Sequence, residues 1–466
     1  MSAITPSPEA LTRATQKMRD AGVSPAAIGA FEYYFDQLAS GHTGVVPEAD
    51  ITPLTDLPRL DDVAIDEQAA REAFAKTVII KLNGGLGTSM GMTKAKTLLQ
   101  VRDGLTFLDI IVEQVRAARA KYGVKLPLIF MNSFNTHDDT LEALAAHPDV
   151  AVDGLPLDFV QSQEPKLDST TLEPVDWPAD PNLEWCPPGH GDLYPSLLDT
   201  GILAQLIDAG YRYATVTNAD NLGASPDARL AGWFASTGAP FAMEVCRRTD
   251  MDRKGGHLAI RKADERLILR EVAQTPPDDM DDFADEDKHR FFNTNTLWLD
   301  LVALQERLAD SGGAIGLPLI ANRKTVDPKD GSSTKVIQIE SAMGAAIEVF
   351  EGATAIQVPR SRFLPVKTTN ELLLVRSDVY RRDEAGNLVR TAESTPSIRL
   401  DERYYKKIAD FEARFPAGPP SLRDATSLVV EGDWTFEADV TVRGRTELFE
   451  DDEGASRTVT AGTNLP

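Results

Sequence analysis

A short apolar run, Thr77-Val78-Ile79-Ile80, leads straight into a loop that reads KLNGGLGTSMGMTKAKT over residues 81–97. The run has the pattern of a buried strand. The loop holds Gly84, Gly85, Gly87 and Gly91 and ends on Lys94 and Lys96. Glycines let backbone N–H groups approach a phosphate or a base closely, because no Cβ intervenes and positive φ is open to them. A lysine at the end of such a loop adds a point charge for phosphate. Together these features point to an α/β chain that holds a nucleotide at a strand's carboxyl end.

The spacing excludes two common loops. A P-loop requires Gly-x-x-x-x-Gly-Lys-[Ser/Thr], but Gly91 is followed by Met92. A dinucleotide fingerprint requires Gly-x-Gly-x-x-Gly opening a helix. Here Gly85-x-Gly87 is followed by Gly91, one place too late. Residues 97–101 look like a further extended segment before a helix over 107–120. A plain glycine-rich turn is the alternative reading of the loop alone.

The rest of the chain supports an α/β class. Residues 128–131, 159–161, 213–217, 241–245 and 297–299 read as strands. Residues 107–120, 136–146, 196–209 and 301–311 read as intervening helices, an alternation that gives a mainly parallel sheet. Ahead of it, Ser7-Pro8-Glu9 and Ser24-Pro25-Ala26 each place a serine cap before a first-turn proline. Two helices are expected there, ending near Gly22 and Gly41, and Pro47, Pro53 and Pro58 punctuate an irregular crossing. After Asp378 the pattern changes to a helix over 404–415. Short strand-like pieces follow at 427–430, 434–436, 440–442 and 446–448, with Gly432 and Gly444 at turns, as in a short parallel β-helix. The domains are therefore set at 1–70, 71–380 and 381–466, with the residues from about Glu450 expected to fray.

Composition narrows the partners. The chain has 466 residues and a net charge of −24, which argues against a nucleic-acid or anionic-membrane surface. That charge does not forbid an anionic ligand, since screening acts over about 8 Å and nearby lysines dominate. No run of apolar residues is long enough to span a membrane, and residues 1–6 lack the pattern of a secretory leader. Cys186 and Cys246 sit in unlike contexts and are expected to stay thiols, which suits a cytoplasmic protein. The acidic stretch at residues 278–287 is read as a solvated loop because it lacks the spacing of a calcium site.

Five segments in order carry a resemblance. They are the glycine loop, residues 185–192 (WCPPGHGD), 216–223 (VTNADNLG), 292–298 (FNTNTLW) and 358–367 (VPRSRFLPVK). Together they resemble the eukaryotic-type UTP–glucose-1-phosphate uridylyltransferases, also called UDP-glucose pyrophosphorylases, from about Val46 to the C-terminus. The resemblance implies a Rossmann-like nucleotidyltransferase core with a helical N-terminal extension. It also implies a C-terminal left-handed β-helix, which serves packing and, in some members, the subunit contact of a homo-oligomer. The implied reaction joins UTP and glucose 1-phosphate to give UDP-glucose and pyrophosphate. Such transfers depend on positioning and charge neutralisation, without a protein nucleophile.

The resemblance also implies roles for individual residues. Lys96 and Lys367 are the catalytic cations, Lys96 meeting the UTP phosphates and Lys367 the α-phosphate. Asp220 is the Mg²⁺ ligand, the alternative being a turn cap beside Asn218 and Asn221. Uridine recognition falls on Leu82, Asn83, Gly84, Gly85, Met131, Gln161 and Gly189, with Asn218 and Ala219 beside the nucleotide. An amide suits the imide edge of uracil, but Gln163 lies on the same side of the expected strand as Gln161, and pattern alone does not choose between them. His190, Gly255, Gly256, Asn295, Thr296, Leu297 and Glu340 form the sugar-phosphate side, where Glu340 has a structural role as its alternative. The apolar setting of Lys367 suggests a lysine held partly out of water. Three departures from the family pattern stand out. Ala95 replaces a proline and is expected to loosen the loop, His257 replaces a threonine, and Thr296 replaces an asparagine. A UDP-sugar or UDP-N-acetylhexosamine pyrophosphorylase is the rival enzyme, and an inactive UTP-binding or assembly protein is the rival from another class.

Overall fold

A computed structural model describes residues 6–41, 44–249, 252–311, 313–450 and 455–466. The leader reading at residues 1–5 and the acidic residues 451–454 lie outside them. The predicted strand after Lys76 runs over Thr77–Asn83 and sits inside a ten-stranded sheet. Its neighbours on one side are Leu128–Asn132 and then Asp158–Val160, both parallel to it. On the other side lies Tyr213–Asn218, also parallel, followed by the antiparallel Phe291–Asp300. Phe291–Asp300 in turn carries Phe241–Arg247 and His257–Arg261. The strands Phe241–Arg247, His257–Arg261 and Thr354–Gln357 share the direction of Thr77–Asn83, so most of the sheet points one way.

Alternation along the strands explains the layers. Ile79 and Phe130 face one apolar core, whereas Val78, Ile80, Ile129 and Met131 face the other. The N-terminal helices Ala10–Asp20 and Pro25–Ala39 add Ala14, Phe31 and Phe35 to the second core. Phe411, Phe415 and Val430 from the C-terminal part join the first. The helix Phe107–Tyr122 covers that first face. Its start is fixed by a reciprocal Thr106–Asp109 capping box and its end by Gly123 in the left-handed region.

Several sequence expectations need correction. Ser24 does cap its helix by accepting from Ala27 N–H, but the first helix starts at Ala10 with no side-chain cap from Ser7. The helix expected over 196–209 is broken at Gly201 into Leu193–Asp199 and Ile202–Asp208. That expected over 404–415 is split into Glu402–Tyr405 and Ile408–Arg414. Residues 440–448 form one strand, Thr441–Leu448, with Gly444 inside it and not at a turn. The tail does not fray as expected, because Arg457–Val459 pairs in parallel with Trp434–Phe436 and Asn464–Leu465 with Thr441–Leu448. Nor is the acidic stretch merely solvated. Asp279 lies 3.2 Å from the fully buried Arg270, and Asp282 lies 2.6 Å from Lys288.

Candidate active site

Register decides what meets at the carboxyl ends of the parallel strands. Leu82 stands opposite Met131 on one side and Asn218 on the other, and Asn83 stands opposite Asn132, which faces Val160. The chain leaves each strand just beyond these pairs. A cavity of about 330 Å³ opens there, lined by Leu82, Asn83, Gly84, Gly85, Lys96, Thr97, Met131, Gln161, Pro187, Gly189, His190, Asn218, Ala219 and Asp220. Every residue assigned from sequence to the nucleotide except Lys367 lines it, and so does His190. Thr97 and Pro187 were not singled out from sequence, although both lie within or beside recognised motifs.

Buried hydrogen bonds fix the loop. Asn83 Nδ2 donates to Asn132 Oδ1 and to Thr140 Oγ1, both at 2.8 Å, and Thr97 Oγ1 donates to Asn83 Oδ1 at 2.9 Å. Ser133 Oγ donates to Gly84 O at 2.8 Å, and Lys96 N–H donates to Gly85 O at 3.1 Å. A Cβ on Gly84 would strike Gln161 Nε2, so a side chain there would displace the amide. The strand ends at Val160, so Gln161 and Gln163 do not share a strand face as expected. Gln161 lines this cavity, whereas Gln163 lines a different one beneath the N-terminal helices.

Ala95 is held despite the missing ring. Its N–H, which a proline would lack, donates to Asp139 Oδ2 at 3.1 Å, and its φ of −51° falls within the range of proline. The loop therefore ends in a fixed backbone, contrary to the loosening expected from sequence.

Lys96 Nζ lies 2.7 Å from Asp220 Oδ2, and both side chains are mostly buried. Asp220 Oδ1 is buried and has no hydrogen-bond partner among the described residues. A desolvated carboxylate oxygen without a partner costs about 1–3 kcal/mol, so the site suits a cation. Among the described residues no group of three or more His, Cys, Asp or Glu side chains gathers around a metal position. The Asp220 carboxylate is a donor of the kind Mg²⁺ takes, with one or two carboxylates and a shell completed by phosphate oxygens and water.

His190 is a neutral donor. Its Nδ1 accepts from Met343 N–H at 2.9 Å, which leaves the proton on Nε2. Burial, with a smaller contribution from the Lys367 charge, lowers its pKa to about 4. Lys367 is close enough for that effect, yet it does not line the nucleotide cavity. It lines a cavity of about 550 Å³ with Asp252, Arg360, Asn370 and Glu371. It is also exposed, with no hydrogen bond or ion pair among the described residues, contrary to the expectation of a lysine held out of water. Its place is set by the ties of the neighbouring backbone. Val366 N–H donates to Asp220 O, and Leu364 N–H donates to Asn221 Oδ1.

The expected sugar-side residues divide. Asn295 takes a φ of 57° and donates through Nδ2 to Asn218 Oδ1 at 3.1 Å, beside the cavity. Glu340 faces Gly189 and accepts from Asn322 Nδ2 at 3.0 Å. Thr296 and Leu297 are buried in the sheet, Thr296 against Thr217 Oγ1 and Leu297 in the apolar core, and neither lines the cavity. Gly255 and Gly256 precede the strand His257–Arg261, and a Cβ on Gly256 would strike the Glu271 carboxylate. That largely buried carboxylate has its pKa raised by burial, against the opposing charge of Lys367. No motif marked Glu271. Lys81 was also overlooked, although a lysine inside an apolar strand is a visible signal. It is 1% exposed and donates to Ala224 O at 3.1 Å. Burial first, and the Arg362 charge second, lower its pKa to about 7.

Known proteins share the sequence and the fold of this chain. The profile of the UTP–glucose-1-phosphate uridylyltransferase family matches residues 28–443. The Solanum tuberosum protein of that name is 41% identical over 406 residues, covering 86% of this chain and 80% of that protein. A variant UDP-glucose pyrophosphorylase from Leishmania major, solved in complex with UDP-glucose, superposes with a TM-score of 0.91 at 40% identity, covering 99% of this chain and 98% of that one. Open and closed structures of the Leishmania major enzyme include a chain that matches with a TM-score of 0.90 at 41% identity, over 98% of each chain.

Proposed function

The chain belongs to the UTP–glucose-1-phosphate uridylyltransferase family, and from that premise we propose how its residues divide the transfer. It is a nucleotidyltransferase that joins UTP and glucose 1-phosphate to give UDP-glucose and pyrophosphate. The observation that carries the residue-level reading is the cavity at the strand ends, where the Lys96–Asp220 pair meets the glycine loop and Gln161. The Gln161 amide and the backbone of Leu82, Asn83, Gly84 and Gly85 hold the uracil edge, with Met131 and Gly189 beside the base. Asn218 and Ala219 adjoin the ribose and phosphates.

A glucose-1-phosphate oxygen, already ionised at neutral pH, forms the new bond to the α-phosphorus. The bond from that phosphorus to the bridging oxygen breaks in line, and pyrophosphate leaves with the electron pair. Lys96 and Lys367 neutralise the charge that accumulates, the type of electrostatic contribution whose loss costs about 10²–10³ in rate. His190 donates Nε2–H to the sugar phosphate without adding charge. Asp220 would hold Mg²⁺, which when bound neutralises phosphate charge. Gly255, Gly256, Asn295 and Glu340 surround the hexose, joined by Glu271 as a hydroxyl acceptor. Thr296 and Leu297 shape the strand behind them.

Lys367 stands exposed here, and the Leishmania relative is known in open and closed structures. A closing movement of residues 358–367 would carry this lysine to the α-phosphate. The same reading includes a left-handed β-helix for the C-terminal parallel strands, the divisions 1–70, 71–380 and 381–466, subunit contact through the last of these, and a cytoplasmic location. No helix among the described residues is long and apolar enough to cross a membrane.

The test is pyrophosphate release from UTP and Mg²⁺ with a panel of sugar 1-phosphates. Release with glucose 1-phosphate above galactose and N-acetylhexosamine 1-phosphates is expected. Preference for another sugar would overturn the assignment of the hexose contacts, and silence with all of them would favour a non-catalytic UTP binder.

A further inference from the structure

We propose that the Arg360–Asp252 ion pair is a positioning device that sets the loop ending in Gly255-Gly256 against the segment carrying Lys367, and so governs use of the sugar phosphate more than capture of UTP. The proposal rests on the functional reading above. Arg360 meets Asp252 through both guanidinium arms, Nη1 donating to Oδ2 at 2.6 Å and Nη2 to Oδ1 at 2.8 Å. The guanidinium also lies over the rings of Phe292 and Phe363, 4.9 and 5.5 Å from their centroids. Asp252 is buried, and its Oδ2 accepts from Thr249 N–H and Thr249 Oγ1 at 3.1 and 2.8 Å.

The loop around Asp252 is shaped from within by Arg248. That buried guanidinium donates to Asp252 O, Arg253 O and Gly255 O at 3.2, 3.1 and 3.0 Å, and to Phe283 O at 2.6 Å. Residues 252–256 are thus a preformed unit that must be placed relative to its surroundings.

The lysine segment has other anchors, and they lead elsewhere. Val358 N–H donates to Val245 O, Asn221 Nδ2 to Arg362 O, and Val366 N–H to Asp220 O. Arg362 pairs with the buried Glu244. These ties locate the segment against the sheet and the nucleotide side. Among the described residues, the Arg360–Asp252 pair is the only polar tie from residues 358–367 to residues 249–256. Lys367 has no ion pair of its own among the described residues, so its distance to Gly255 and Gly256 is set by backbone held on one side by the Asp220 and Asn221 ties and on the other by this pair. The Arg360 side chain is 40% exposed but its partner carboxylate is buried, so losing either partner also weakens the fold, and the melting temperature separates that effect from the loss of positioning.

Arg360→Gln, Asp252→Asn and the double variant test the proposal, with Arg360→Lys as the charge-conserving control. Three readouts are needed: kcat/KM for glucose 1-phosphate at saturating UTP, the UTP Kd by calorimetry, and the melting temperature. Each single variant should lower kcat/KM for glucose 1-phosphate by about 10–100-fold, the scale of an approximately 1 Å misplacement. The UTP Kd should shift by less than about twofold, and the double variant should be no worse than the worse single one. Arg360→Lys should lose nearly as much as Arg360→Gln, because an ammonium cannot form the fork. The proposal fails if the Arg360 variants retain wild-type kcat/KM, if UTP affinity falls in parallel, or if the two losses multiply. A wild-type protein that releases no pyrophosphate with any sugar phosphate would sink the functional reading and this proposal together, and the wild-type control alone reveals that case.

Discussion

At the scale of single residues, the loop that holds Lys96 is fixed by an amide that the family's usual proline would lack. Asp139 accepts from Ala95 N–H at 3.1 Å. Removing that acceptor should cost about 1 kcal/mol, or roughly fivefold in the UTP KM. In an Ala95→Pro background no N–H remains to be held, while φ stays near its present value. Asp139→Ala should therefore raise the UTP KM in the parent and leave it unchanged in the Ala95→Pro variant. An equal loss in both backgrounds would show that Asp139 acts through its helix and not through the loop. Sequence alone disclosed the departure at Ala95 but not its remedy, because Asp139 lies 44 residues further on. The lysines were legible as charges, whereas their environments were not. Lys367 looked shielded by its apolar neighbours, yet those neighbours pack inward and leave its side chain in solvent.

At the scale of elements, strands and helices announced themselves through period and capping residues, but their pairings did not. The strand His257–Arg261 begins on a histidine that stacks against His289, with ring centroids 3.8 Å apart and both side chains fully buried. Burial, reinforced by neighbouring positive charge, holds the pKa of His257 well below 6.5 and lowers that of His289. Arg248 and Arg270 oppose a proton on His257, and Arg270 and Lys288 one on His289, while Glu48, already paired with Arg270 and Lys288, favours one on His289. A histidine whose pKa falls on folding contributes stability that is present above its unfolded value and lost as pH decreases. The urea midpoint of the wild type should therefore drop between pH 7 and pH 5. In His257→Asn that drop should be smaller, even though the variant starts less stable at pH 7. An unchanged drop would move the acid sensitivity to other groups. The ion pair between Arg270 and Asp279 was invisible for a similar reason. An acidic run reads as solvated unless the buried cation it meets is known.

At the scale of the whole molecule, the glycine loop and the β/α alternation were enough to gather the residues that line the strand-end cavity, because they sit at consecutive strand ends. The sugar side was less legible. As proposed, it draws on the Asp252–Gly256 loop, Glu271 and the Arg360–Lys367 segment, which only the sheet's crossings bring together. The C-terminal tail was misread because a parallel ladder leaves little local pattern. Val459 is nevertheless buried in the first core, with Arg457–Val459 paired to Trp434–Phe436. Truncation after Glu450 should therefore destabilise the fold by at least about 2 kcal/mol by urea titration, whereas a fraying tail would cost nothing measurable. The central claim is that this catalyst works by positioned positive charge without a protein nucleophile. The most direct test compares pyrophosphate release by the wild type and Lys367→Ala at saturating UTP, Mg²⁺ and glucose 1-phosphate. A loss of about 10²–10³ in kcat with UTP affinity preserved is the expected result. Turnover within a few-fold of wild type would contradict it.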